Sequence, residues 1–358
     1  MKYQLIKGKE FSHNVCRKGV EHIIFTDEIA PKGVELTDLS NDRDGSVVGW
    51  MEGNGVYKVS TQTKGQKVIF NKDCSKMFYG GRFWCDNIEL SKRSESEMKE
   101  VYFNNVDTSH VANMRFMFTD CKQLLKLDLS NFDTTQVTDM WDMFSGCENL
   151  KELNLSNFDT SKVTDMVGMF AGCKNLKELD LSNFDTSKVE DMSSMFAYSE
   201  NLESLDLRSF DTSNVGMMLW MFERCENLKE LDLSHFNTSN VISMKLMFAD
   251  CKNLKELDLS NFDTSQVENM EGMFSLCMNL ENLKLNNSKL DDIAYLDGIF
   301  ARCDKLTSLE TTDIQLKNEY QKTVVQQQNK MYSNIDLNNL KINEGKEMQK
   351  DKDIDKEK

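Results

Sequence analysis

The chain has 358 residues, one proline, 22 Met, 21 Phe and a formal net charge of −16. Length alone suggests two or three domains with a large core, and the acidic balance excludes non-specific nucleic-acid binding and docking on anionic lipid, both of which need a basic face. No apolar run approaches the roughly 18 residues of a membrane span, so no membrane insertion is expected, and the four histidines are too scattered for a histidine-rich metal cluster.

Met1 to Glu10 carries lysines but no apolar stretch, so no secretory signal is read there. Residues 1–72 read as a small β-rich N-terminal cap. Its expected strands are His22–Thr26, Ser46–Ser60 and Lys67–Asn71, with Gly53-Asn54-Gly55 turning a hairpin between Val48-Gly49-Trp50 and Val56–Val59.

Residues 73–314 are dominated by a repeat, which decides the fold before any local propensity does. Met-Phe recurs at 117–118, 143–144, 169–170, 195–196, 221–222, 247–248 and 273–274, each step being 26 residues, and Ile299-Phe300 keeps the phase. Cys121, Cys147, Cys173, Cys225, Cys251, Cys277 and Cys303 share the beat, with Ser199 in the gap. So do the Leu-x-Leu segments from Leu127/Leu129 to Leu283/Leu285. Met77-Phe78 lies 40 residues before Met117-Phe118, which leaves a long loop near 86–98.

One unit reads as a strand at Leu153-Asn154-Leu155, a turn at Asn157–Ser161 that buries Phe158, and a helix-like return. Val163, Met166, Met169, Phe170 and Cys173 fall on one face of that return at helical spacing, and Gly172 suits a left-handed end. Phe170 and Phe184 are expected in the core. A unit this small cannot bury its face alone, so stacked neighbours must supply the rest. The expected fold class is an α/β repeat solenoid, leucine-rich-repeat-like and right-handed, of about nine 26-residue turns behind the cap. Residues 315–358 read as a degenerate segment, helical near Tyr320–Asn329, that ends in a charged, disordered tail.

Units such as Leu179-Asp180-Leu181-Ser182-Asn183-Phe184-Asp185-Thr186-Ser187-Lys188-Val189, followed by Met192 and Met195-Phe196, resemble those of the BspA-like leucine-rich-repeat surface proteins of bacteria. Ile24–Pro31 and Gly45–Trp50 are similar to the segment before the repeats in that family, and the resemblance spans roughly residues 20–310. It implies a cell-surface or extracellular protein that adheres to host proteins or to other cells, with no family-wide enzymatic activity. No export signal or C-terminal anchor is read in the chain, so an intracellular protein-interaction scaffold is the alternative.

The residues themselves offer little chemistry. The cysteine column has no preferred pairing and no C-x-x-C, so it reads as buried free thiols rather than metal or disulfide sites; Cys74 and Cys85 could pair. Asp128, Asp180, Asp206, Asp232 and Asp258 project outward from the strands beside a lysine column and read as a solvated face, with calcium or a basic partner as rivals. Asp133, Asp159, Asp185, Asp211 and Asp263 read as turn caps. No nucleophile is placed beside His110 or His235, and no phosphate-binding loop appears, so no enzyme, metal or cofactor is expected.

The informative signal is variation inside the constant frame. Two slots between the paired methionines change from unit to unit and place Phe116, Trp141, Leu219, Trp220 and Leu246 on an outward-facing helical surface. Aromatic side chains there either pack on a neighbouring turn's return segment, the plainer reading, or are candidate anchors for a protein or glycan ligand, with Asp180, Asp206 and Asp232 on the concave strand face as the rival surface.

Overall fold

The computed structural model describes residues 1–81, 96–285 and 295–326. Most of the loop expected near 86–98, Cys85 and the charged tail lie outside the described residues.

The chain opens with a helix absent from the sequence expectations, α1 (Gly8–Val15), which buries Phe11, Ser12 and Val15 on one face. Gly8 lets it approach the first repeat, because a Cβ there would lie 2.4 Å from the Ser75 carbonyl oxygen. Then follow β1 (His22–Phe25), β2 (Thr37–Asp38), β3 (Val48–Gly53), β4 (Val56–Ser60) and β5 (Val68–Ile69). β3 and β4 form the expected antiparallel hairpin. Its turn takes φ of 50° at Asn54 and 78° at Gly55, the left-handed pair a tight hairpin requires. The cap does not merely cover the repeats. β1 pairs in parallel with β4 on one side and with β6 (Glu100–Phe103) on the other, so the cap sheet, ordered β2-β3-β4-β1-β6, passes into the repeats.

The repeats form a solenoid of stacked coils. β7 (Val106–Asp107) pairs with β5, and β8 (Lys126–Asp128) pairs in parallel with β9 (Glu152–Asn154). Further along, β10 (Glu256–Asp258), β11 (Asn282–Lys284) and β12 (Ser308–Glu310) make a second parallel set. A second ladder of single bridges joins Asp73, Asn113, Asp139, Asp165, Asp191, Met217, Ser243, Asn269 and Tyr295, each to the next.

Not every Leu-x-Leu segment becomes a strand. Residues 178–180, 204–206 and 230–232 stay outside the strand ladder. Ion pairs cross between coils both inside the ladder and outside it, where Glu203 holds Lys177 at 3.6 Å and Lys229 at 3.1 Å. Lys126 meets Glu152 at 2.6 Å across β8 and β9, and Lys284 meets Asp258 at 3.0 Å across β10 and β11. Between them Asp180, Asp206 and Asp232 occupy the same position in consecutive coils, and like charges directly opposite weaken a ladder.

The helix-like return is corrected. Among the described residues of the repeats the segment from Val163 to Cys173, like its equivalents, is a ribbon of tight turns. In one coil Met117 N–H donates to the Met114 carbonyl at 3.1 Å and Cys121 N–H to Phe118 at 3.2 Å. The N–H groups of Phe116, Phe118 and Asp120 instead reach the Trp141, Met143 and Ser145 carbonyls of the next coil at 2.7–2.8 Å. Left-handed residues sit four apart, with φ of 61° at Gly168 and 70° at Gly172, and 56° and 57° at Trp220 and Arg224. A non-glycine residue there costs about 1–2 kcal/mol, which the inter-coil hydrogen bonds offset. The solenoid is therefore strand and turn rather than α/β in its repeats.

The core is arranged in columns. The rings of Phe78, Phe118, Phe144, Phe170, Phe196, Phe222, Phe248, Phe274 and Phe300 stack with centroids 4.9–5.9 Å apart and planes within 12°. An aromatic edge closes each end: Phe11 of α1 against Phe78, and Tyr320, on a helix followed over 314–326, against Phe300. Phe184 is also buried and packs on Phe170.

The nine described cysteines are buried thiols outside any disulfide, and those of the repeat column have a hydrogen-bonding task. Sγ of Cys121, Cys147, Cys173, Cys225, Cys251, Cys277 and Cys303 donates to the carbonyl of the previous coil's phenylalanine at 2.9–3.3 Å. Ser199 Oγ does the same to Phe170 at 2.9 Å, which is why serine can fill the gap. Burial pushes the thiols of Cys225 and Cys303 up to about 12. A threonine column works in parallel: the Thr160 hydroxyl donates to the Asp185 carbonyl and accepts from the Asp185 N–H, both at 2.8 Å.

Candidate functional site

The frame accounts for most polar residues that the sequence offered as chemistry. Asp159 Oδ1 accepts the Ser161 N–H at 2.9 Å, and Asp133, Asp185, Asp211 and Asp263 repeat the bond two residues on, so they close turns rather than cap helices. His235 Nε2 lies 2.8 Å from the Leu207 carbonyl. Asn183, Ser209 and Asn261 make the equivalent bond to the previous coil, so His235 sits in a structural column. His110 Nδ1 meets the Ser109 hydroxyl at 3.0 Å. Among the described residues no three His, Cys, Asp or Glu side chains are grouped to hold a metal ion, and no helix is long and apolar enough to cross a membrane. An asparagine column escaped the sequence reading: Asn227 Nδ2 donates to Asn201 Oδ1 at 2.9 Å and Asn253 Nδ2 to Asn227 Oδ1 at 3.0 Å. Its signal was plain, an Asn before the closing leucine of six consecutive units, from Asn149 to Asn279.

On the strand face Asp180, Asp206 and Asp232 are exposed, as expected, but each already holds a backbone N–H two residues on: Ser182, Arg208 and Ser234, at 3.0–3.1 Å. The Ser182 side chain and N–H lower the Asp180 carboxyl, and the Arg208 guanidinium and N–H hold Asp206 at about 2. These groups stay ionised through the ordinary pH range, which suits a solvated face and does not suit proton transfer. Further along lies an open groove of about 670 Å³. Its charges of both signs include Lys229, Asp232, Lys255, Glu256, Asp258 and Lys284.

On the ribbon face the five apolar candidates are half-buried rather than fully outward, because the ribbon is not a helix and the helical projection does not apply. Phe116 and Trp141 come together, their ring centroids 6.0 Å apart. The Arg115 guanidinium lies 3.4 Å from the Trp141 ring centre and 4.9 Å from that of Phe116, a cation–π sandwich made within the chain. Beside it burial pushes the Asp142 carboxyl up to about 6. Leu246 lies over Gly272, whose missing side chain makes room: a Cβ there would be 2.6 Å from Leu246 Cδ2.

Leu219, Trp220 and Leu246 occupy consecutive coils, apart from the Phe116–Trp141 pair. With them the structure exposes Met217 and Ile242, 37% and 45% accessible, which the sequence reading did not single out. Several earlier coils carry polar residues at these positions: Asp139, Asp165 and Asp191 precede Met217, while Thr138, Thr164 and Glu190 stand where Ile242 does.

The family described as "Mycoplasma protein of unknown function, DUF285" matches residues 72–204, 145–256 and 199–313. No curated protein matches the chain. Among solved structures, a leucine rich cell surface protein from Faecalibacterium prausnitzii A2-165 is 12% identical with a TM-score of 0.25, covering 75% of this chain and 94% of its own. An LRR protein of Leptospira interrogans is 17% identical with a TM-score of 0.24, covering 69% of this chain and 78% of its own.

Proposed function

The chain belongs to the DUF285 family, matched in overlapping segments from residue 72 to residue 313, and from that premise we propose that it is a non-enzymatic binding protein that recognises proteins or glycans through its solenoid surface, at the cell surface. Its 26-residue unit carries both the family match and the BspA-like leucine-rich-repeat character. The observation that carries the reading is a division between columns. The Phe, Cys, Thr, Asn and turn-closing Asp columns spend their side chains on the stack. The ribbon slots are free to vary, and beside them Met217 and Ile242 place apolar side chains on the surface.

Two measurements test it. Immobilised full-length protein is screened against extracellular-matrix proteins and a glycan array; saturable binding to at least one class is expected, and none at all overturns the reading. Protease shaving of intact cells, with a cytoplasmic protein as leak control, releases repeat peptides if the chain is outside. Full protection until lysis would replace the surface role with an internal scaffold.

A further inference from the structure

The strand face has an open seam. β10 (Glu256–Asp258) pairs with β11 on one side only. On its other side lies the segment 229–233 of the preceding coil, and among the described residues no backbone hydrogen bond joins that segment to 255–259. The same two coils are fastened on the ribbon side, where Met218 N–H donates to the Ser243 carbonyl at 3.1 Å, Trp220 N–H to Lys245 at 3.0 Å and Phe222 N–H to Met247 at 2.9 Å. The seam therefore leaves open the backbone donors and acceptors that a strand ladder would use. It also uncovers a leucine: Leu231 is half-buried, whereas Leu127, Leu257 and Leu283 of the same column are only 1–3% exposed. The groove of about 670 Å³ lies across this seam, with Leu231 and Leu257 in its lining.

The charges around the seam say what fits. The lining carries five carboxylates and three lysines. Two of the lysines are already held, Lys229 by Glu203 at 3.1 Å and Lys284 by Asp258 at 3.0 Å. Glu230, Asp232 and Glu281 have no ion-pair partner among the described residues, and Lys255 is the one lysine of the lining in the same position. All four are exposed. The groove is therefore net acidic, with an apolar patch at Leu231. Arginine suits both features. Its methylene stem lies along apolar surface while the planar head, with five donors, meets carboxylates and open carbonyls. Lysine brings the same charge with three donors and satisfies fewer of them. We infer that the seam beside β10 receives an arginine side chain of a partner polypeptide. This rests on the binding reading above and narrows it to one place and one partner chemistry.

The probes are three fluorescein-labelled nonapeptides of glycine and serine that carry arginine, lysine or citrulline at every second position of their centre. Citrulline keeps the shape of arginine and removes its charge. Fluorescence anisotropy with the full chain is read at about 0.15 M salt, where charges more than about 8 Å apart are screened. The arginine peptide is expected to bind saturably with Kd below about 1 mM, the lysine peptide about threefold more weakly, and the citrulline peptide not at all. Glu230→Gln and Asp232→Asn are each expected to weaken the arginine peptide about threefold or more, and Lys255→Gln to tighten it. Asparagine at 232 keeps the bond to the Ser234 N–H, as Asn154 already does for Ser156. Glu178→Gln makes the same charge change at the same place in the unit two coils earlier and is expected to leave Kd unchanged. All four residues are exposed, so each variant should keep the wild-type melting temperature. No binding of the arginine peptide to the wild type overturns the inference. So does equal binding of the lysine or citrulline peptide, or a loss at Glu178→Gln as large as at Glu230→Gln, which is general attraction to an acidic chain. An array ligand whose affinity ignores Glu230→Gln and Asp232→Asn would leave the wider reading standing while this one fails.

Discussion

Raising the pH should unfold this protein earlier than its lysines or tyrosines can explain. Burial lifts the thiols of Cys74, Cys147, Cys173, Cys225, Cys251, Cys277 and Cys303 above their ordinary value. An unfolded cysteine ionises near 8.5. Below that pH both states keep the proton and nothing is lost. Above it the unfolded chain releases protons that the folded chain retains, so stability falls as pH rises, until the folded pKa is reached. Each thiol contributes about 1.4 kcal/mol of loss one unit above 8.5. Seven together reach about 10 kcal/mol, comparable to the 5–15 kcal/mol that holds a typical protein folded. Urea midpoints measured in reductant from pH 7.5 to 10 should be level to about 8.5 and then collapse within roughly one pH unit. The variant with Cys173, Cys225, Cys251 and Cys277 all changed to Ser should still fold, because Ser199 already does their task, and it should lose only about 4 kcal/mol per pH unit. A midpoint that stays level through pH 9.5, or one that falls as steeply in the variant, would refute the reasoning.

Other expectations follow from single contacts. Cys225→Ser keeps a donor to the Phe196 carbonyl and should shift stability by less than about 1 kcal/mol, whereas Cys225→Ala loses the bond and leaves a small void, about 1.5–2 kcal/mol by thermal melting; if alanine were the milder change, the thiol would be only a small hydrophobe. Thr160→Val removes the partner of both the Asp185 N–H and carbonyl and should cost about 2–3 kcal/mol in urea titrations, despite nearly equal volume. Gly168→Ala meets a positive φ and the overlying Asp142 carboxylate, and its melting point should drop, while Asp142→Ala in the same background should recover part of the loss. Trp141→Ala, which strips the ring from the Arg115 guanidinium and Phe116, should cost about 1–2 kcal/mol, more than Trp220→Ala, which has no such ring contact among the described residues.

The period of 26 made the stacking, the phenylalanine spine and the cysteine column legible from residues alone. The path of the chain between them was not. Val163, Met166, Met169, Phe170 and Cys173 repeat at spacings that fit a helix and also fit a ribbon whose tight turns each return the chain to the core. Periodicity cannot separate the two. Glycines at Gly168 and Gly172, four apart in one segment, could have done so, since a helix has no use for two left-handed positions there. The same misreading turned half-buried slots into a fully outward surface. Which Leu-x-Leu segments pair as strands is settled between coils, where Lys126 faces Glu152 and Asp206 stands between two other aspartates, and one unit read alone does not show it. Met217 and Ile242 drew no notice because each is a single apolar residue in its own segment. Their meaning lies in what the neighbouring coils carry at the same height.

Because each coil gives its neighbour the same bonds it receives, the tolerated unit of length change is a whole coil. A copying slip that adds or drops 26 codons leaves every ring, thiol and threonine facing an equivalent partner. A slip of another size must be looped out to keep the phase, as in the 40-residue step from Met77 to Met117, across which Phe78 still stacks on Phe118. A whole-coil event between the cap and the coils of Met217 and Ile242 would move those coils along the axis by about 4.8 Å relative to the cap. Changes in coil number thus alter the length of the stack in steps while leaving the contacts between its coils equivalent.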